Sequence, residues 1–199
     1  MITQVSVPTR VGRSVLAALG TLSLSAAVLT APAHAADTGL FGTQDATYDG
    51  VYRQSLAVAG LAAADARIPA AAVDWLLDQQ CADGSFEAFR PNTSTPCSPS
   101  DPKNFSGPDT NSTSMAAIAL YLAGRTAPAR DAIVWLNDVQ NDDWGFPFHS
   151  GGASDANSTA LSVMALQTVQ PQDRSGRVPN AQKWLGTLKL KCASGGGLA

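Results

Sequence analysis

Glutamate is almost missing from this 199-residue chain: Glu87 is the only one. Histidine is nearly as scarce, represented by His34 and His149 alone. Histidine and glutamate supply most general acids and bases in proteins, so little is available here to move protons. No run of lysine and arginine occurs, and the net charge is −3. Both facts argue against a nucleic acid or an anionic membrane as partner. No apolar stretch reaches the roughly 20 residues needed to span a bilayer. There are three cysteines, Cys81, Cys97 and Cys192, and no Cys/His pair at ligand spacing. A zinc site, which takes three or four protein ligands, is therefore not assembled.

The longest apolar run extends from Val15 to about Thr30, after Arg10 and Arg13. It ends at Ala33-His34-Ala35, with Pro32 just upstream. A basic start, a short apolar core and an Ala-x-Ala end make up a secretory signal peptide. Cleavage after Ala35 is expected, leaving residues 36–199 as one domain large enough for a single core. Export would place that domain in oxidising surroundings, so Cys81 and Cys97 are expected to form a disulfide.

The remainder is organised as a repeat. Asp109-Thr110-Asn111-Ser112-Thr113 and Asp155-Ala156-Asn157-Ser158-Thr159 share the pattern D-x-N-S-T. Each opens a helix rich in Ala, Leu, Met and Val. Alternating with these are helices introduced by Ile68-Pro69, Ala127-Pro128 and Val178-Pro179, carrying Trp75, Trp135 and Trp184. Proline suits a first helical turn, where its missing N–H costs nothing. The tryptophan helices carry one apolar stripe, and the others are apolar nearly all round, the pattern of an outer and an inner layer. Periodicity predicts helices over Tyr52–Ala64, Pro69–Gln80, Ser112–Gly124, Pro128–Gln140, Ser158–Val169 and Pro179–Leu190. Residues 90–107 and 149–153 are expected loops.

After each tryptophan helix comes a matching loop: Cys81-Ala82-Asp83-Gly84-Ser85-Phe86, Asn141-Asp142-Asp143-Trp144-Gly145-Phe146, and Cys192-Ala193-Ser194-Gly195-Gly196-Gly197. Cys192 opens the third loop as Cys81 opens the first. It is either a free thiol or paired with a residue beyond Ala199; the second alternative makes this sequence a truncated repeat array.

These residues resemble the prenyltransferase and squalene-cyclase repeat class of α/α-toroid proteins. The resemblance is carried by Gln80 through Gly84-Ser85-Phe86, by Gln140 through Gly145-Phe146, and by the two D-x-N-S-T helix starts. It implies an all-α partial α/α toroid, a half-barrel of about six helices in two concentric layers. Cyclases of the class protonate an alkene from a D-x-D-D-T segment. Asp155 and Thr159 match it, but Asn157 and Ser158 replace the two central acids, and Asn111 and Ser112 do so in the other copy. The prenyltransferase Asp-x-Cys pair has asparagine in place of cysteine. The thioester Cys/Gln segment of complement-type relatives is not formed at Cys81, which follows a glutamine.

The expected function is thus an exported, extracellular or cell-surface binding module without catalysis, closest to the cobalamin-carrier branch. Cobalamin enters as the ligand that the resemblance suggests, with no cofactor assigned by the residues. A cyclase-like or prenyltransferase-like enzyme with catalytic residues in a missing C-terminal half is the rival, and a purely structural surface domain is the third reading. Candidate ligand contacts are Asp109, Asn111, Asp155, Asn157, His149 and Trp144, with no metal site and no catalytic residue. The same Asp and Asn residues fit helix capping, worth about 1 kcal/mol each; at the mouth of a toroid, capping and pocket lining coincide. As a lone loop histidine, His149 is expected to be exposed to solvent, with pocket lining the alternative.

Overall fold

The computed structural model describes residues 39–42 and 50–191. The expected leader, and Cys192 with its loop, lie outside the described residues. Six helices occur among them: α1 (Gly50–Ala63), α2 (Ala70–Gln79), α3 (Thr110–Leu122), α4 (Thr126–Val139), α5 (Ala156–Val169) and α6 (Arg177–Thr187). The chain is thus predominantly helical, as its periodicity predicts. One small correction applies to the all-α expectation. Phe146–Pro147 (β1) and Ser154–Asp155 (β2) pair antiparallel, with Phe146 opposite Asp155.

The helices α1, α3 and α5 pack in succession, α1 against α3 and α3 against α5, while α2, α4 and α6 each lie against the helix before them. Small side chains explain the close succession. Along α3 every residue from Ser112 to Leu120 is buried, three of them alanine. The hydroxyls of Ser114 and Ser162 meet between α3 and α5 at 3.3 Å. By contrast α4 buries one stripe, Ala129, Ala132, Ile133, Trp135 and Leu136, as an amphipathic surface helix does. The expectation of all-round burial fits α3 as far as Leu120, with Leu122 exposed. It fails on one side of α1 and α5, where Leu56 and Met164 are exposed.

Helices α3 and α5 begin two residues earlier than periodicity indicates, immediately after Asp109 and Asp155. Both aspartates are N-caps, which satisfy main-chain N–H groups that have no partner inside the helix. The prolines act less uniformly than expected. Pro69 is the N-cap residue of α2, whereas Pro128 and Pro179 occupy third positions in α4 and α6. All three sit where no intrahelical N–H bond is lost. Helix α6 ends at Thr187, short of Leu190.

The loops after α2 and α4 are built alike. Cys81 N–H donates to the Ser85 carbonyl and Gly84 N–H to the Cys81 carbonyl; Asn141 and Trp144 repeat both bonds with Gly145 and Asn141. Asp83 Oδ1 accepts Ser85 N–H at 3.0 Å, and Asp143 Oδ1 accepts Gly145 N–H at 2.9 Å. Gln80 Nε2 donates to the Gly84 carbonyl, as Gln140 Nε2 does to that of Trp144. Gly84 has φ +89° and lies so close to the Asp131 carbonyl on α4 that a Cβ would collide with it. Trp144 occupies the matching position with φ +75°, a left-handed conformation that costs a residue with a Cβ roughly 1–2 kcal/mol.

Candidate functional site

The two D-x-N-S-T segments form the starts of α3 and α5. Asp109 Oδ1 accepts Ser112 N–H at 2.7 Å, and Asp155 Oδ1 accepts Ser158 N–H at 2.7 Å. The threonines fasten the preceding loops. Thr113 Oγ1 accepts Phe86 N–H at 3.0 Å, and Thr159 Oγ1 accepts Phe146 N–H at 2.8 Å. A third copy of this latch stands in α1, where Gln54 Oε1 accepts Phe41 N–H at 3.0 Å and Gln54 Nε2 donates to the Gly39 carbonyl at 2.8 Å. Gly39-Leu40-Phe41 is therefore one more Gly-x-Phe loop. Sequence reasoning passed over it, although the Gly-x-Phe spacing is visible in the chain.

The two helix starts differ in their surroundings. Asp109 is buried, because the loop after α4 crosses it: Thr110 N–H donates to the Phe148 carbonyl at 2.9 Å, and Asp109 and His149 face each other across a β-bridge. Asp155 and Asn157 are exposed; the loop in the equivalent position after α6 falls outside the described residues. Burial pushes the Asp109 carboxyl up, against the hydrogen bonds from Ser112 and the nearby imidazole, which pull it down. Asn111 Oδ1 is buried and has no hydrogen-bond partner among the described residues, and Ser158 Oγ shares that condition.

The expectation of an exposed His149 is corrected: its side chain is only 4% exposed. Nδ1 lies 3.0 Å from the Pro108 carbonyl, and Phe148 packs edge-on at a centroid distance of 4.6 Å. What buries it is the segment around Ser100, whose hydroxyl donates to the Pro108 carbonyl and accepts Ser150 N–H, each at 3.0 Å. Asp109, Asn111 and His149 thus come together at α3, Asp155 and Asn157 belong to α5, and Trp144 stands apart in its loop.

Cys81 and Cys97 form a disulfide with their Cα atoms 5.7 Å apart. Glu87 comes close enough to resemble a metal cluster with the two sulfurs. The sulfurs are bonded to each other, however, and Glu87 Oε1 already accepts Ser98 N–H at 2.7 Å. Arg90, which nothing in the sequence singled out, is buried, and its guanidinium donates to the main-chain carbonyls of Gln79, Gln80, Thr93 and Thr95. It ties the disulfide loop to the C-terminal end of α2, where a cation is favoured by the helix dipole. A depression of about 700 Å³ beside this loop is lined by the disulfide, Arg90 and Trp135. With its guanidinium committed to carbonyls, Arg90 is poorly placed to receive an anion there.

Chemically, the helix starts hold the Asp109 and Asp155 carboxyls and the Thr113 and Thr159 hydroxyls already bonded to main chain, beside the unpartnered Asn111 Oδ1 and Ser158 Oγ. Comparison with protein-family models and with curated proteins finds no match to either.

Proposed function

We propose that this chain is an exported, non-catalytic binding module of the α/α-toroid class that receives its ligand on a face shared by α1, α3 and α5. One observation carries the reading: both D-x-N-S-T segments are spent on structure. Asp109 and Asp155 cap helices and Thr113 and Thr159 latch loops, while amides stand where a cyclase needs acids. A neutral amide cannot protonate an alkene.

What the inner helices leave open is apolar. With Gln54, Thr113 and Thr159 as equivalent latch residues, positions two, five and nine further on fall within about 60° of arc at 100° per residue. Those positions include Leu56, Met164 and Leu122, exposed by 49, 52 and 44%. Met115, Ile118 and Leu161 occupy other places in the same strip. An apolar strip bordered by Asn111, Asp155 and Asn157 suits a large ligand with an apolar body and polar edges. Cobalamin, suggested by the carrier branch, is the first to test. The alternation of small-residue and amphipathic helices supports the half-ring architecture, and the Ala33-His34-Ala35 segment supports export.

The enzyme reading has one observation in its favour, the buried Asp109 beside His149. Its carboxyl already accepts the Ser112 N–H, and the loop carrying His149 closes over it, leaving Asp109 only 2% exposed.

Titrating cobalamin into the protein, with the visible spectrum and retention on dialysis as readouts, tests this. Saturable spectral change is expected, lost in Leu122→Glu/Met164→Glu with an unchanged melting temperature. No spectral change would remove cobalamin, and equal binding by the double variant would remove the inner-helix face.

A further inference from the structure

We propose that His149, Phe105 and Phe148 form a second site, separate from the inner-helix face, that binds a small alkylammonium group. The three side chains line a cavity of about 180 Å³ together with Pro102, Gly152 and Ala153.

The imidazole sets the polarity of this cavity. A carbonyl oxygen can only accept, so the 3.0 Å contact with Pro108 requires the proton on Nδ1. In the neutral ring, Nε2 then carries a lone pair. No hydrogen bond to Nε2 occurs among the described residues. An N–H donor entering the cavity would find that acceptor available.

The walls favour a cation. Phe148 and Phe105 stand at 78° and 66° to the imidazole plane, with centroids 4.6 and 6.1 Å away. The three rings therefore form a corner, not a stack. Aromatic faces attract ammonium groups electrostatically. Asp101, whose carboxyl is held low by the side chain of Asn104 and the N–H of Lys103, lies near the imidazole and adds negative charge there. A primary ammonium supplies the N–H for Nε2, the charge for the rings and the Asp101 carboxylate, and a methylene stem for Pro102 and Ala153. An alcohol of the same size would supply only the hydrogen bond.

The loop holds Phe105 in place at a cost to itself. Phe105 is 75% exposed and has φ +51°, an unfavourable conformation for a residue with a Cβ. Asp101 braces it, accepting the N–H groups of Lys103 and Asn104 and the side chain of Asn104, while Asp101 and Ser106 exchange main-chain hydrogen bonds.

The test follows the His149 ring by long-range ¹H–¹⁵N NMR while n-butylammonium, Nα-acetyl-lysinamide or n-butanol is added to the full chain. Saturable shifts of Nε2 with n-butylammonium, and none with n-butanol at equal concentration, are expected. A matching response to Nα-acetyl-lysinamide would assign the site to lysyl side chains; its absence would assign it to free amines. No saturation with either amine, or equal shifts with n-butanol, would overturn the proposal. His149→Phe should weaken n-butylammonium binding at least tenfold, read by calorimetry. Should that variant fail to fold, Phe105→Leu replaces an exposed ring and should weaken binding several-fold; unchanged affinity there would also overturn it.

Discussion

The hydroxyl of Thr113 accepts the main-chain N–H of Phe86 at 3.0 Å and donates to the carbonyl of Asp109 at 2.7 Å. One side chain thereby closes both the loop before α3 and the first turn of α3. Thr113→Val keeps the shape and removes both bonds. Leaving a buried N–H unpaired costs about 1–3 kcal/mol, so urea denaturation should show a loss of that size, and Thr113→Ser should recover most of it. Thr159→Val should behave alike, with near-additive losses in the double variant because the latches share no partner.

Gly84 and Trp144 occupy equivalent turn positions, yet they should respond oppositely to substitution. Gly84→Ala forces a Cβ into the Asp131 carbonyl at φ +89° and should cost at least about 2 kcal/mol, since strain and collision add. Trp144→Gly relieves a left-handed backbone while giving up a partly exposed ring. Its melting temperature should change little, and a large drop would show that the Trp144 ring, not the turn, holds this loop.

The Cys81–Cys97 bridge spans 16 positions. Closing a loop of that length restricts the unfolded chain by roughly 3 kcal/mol. Reduction should lower stability by about this amount in a denaturation experiment. Amide exchange should rise first between residues 90 and 108, where Arg90 and the bridge are the principal ties.

Asp109 makes stability depend on pH in an unusual direction. Burial raises its carboxyl above the ordinary aspartate value of 3.8, so the folded state holds a proton that the unfolded chain releases. Stability from this group is greatest below 3.8, falls as pH rises through the raised folded value, and is constant beyond it. Asp143 acts the other way. Partial burial raises its carboxyl, but hydrogen bonds from Ser154, Gly145 and Trp184 outweigh that and hold it low. Its contribution is present above 3.8 and is lost as pH falls below it. Asp109→Asn preserves the cap and should remove the loss on the alkaline side. A denaturation series between pH 3 and 8 that left the slope unchanged would contradict this assignment.

Much of the scaffold was readable from residue pattern alone. Small apolar residues around α3, single stripes on α2 and α4, and the paired D-x-N-S-T starts gave the helices and their alternation. The third latch was hidden because Gln54 does in α1 what threonine does in α3 and α5, and glutamine there resembles nothing at the other helix starts. His149 was misread for a different reason. Its burial depends on Ser100 and Pro108, 49 and 41 positions earlier in the chain, and no local periodicity encodes that meeting. The short β1–β2 pair escaped for a similar reason: two-residue strands leave no alternation to detect. Trp144 was more accessible to reasoning, since aligning the two loops already sets it beneath Gly84.

The latch repeats while the chain between its halves does not. From Phe41 to Gln54 and from Phe146 to Thr159 the separation is 13 positions, yet from Phe86 to Thr113 it is 27. The additional residues leave the latch bond unchanged and emerge as the braced loop that presents Phe105. This architecture therefore has a splice point between each latch phenylalanine and the helix that follows. Foreign sequence inserted after Phe146, of a length similar to the excursion after Phe86, should be displayed on the outside of an undisturbed scaffold.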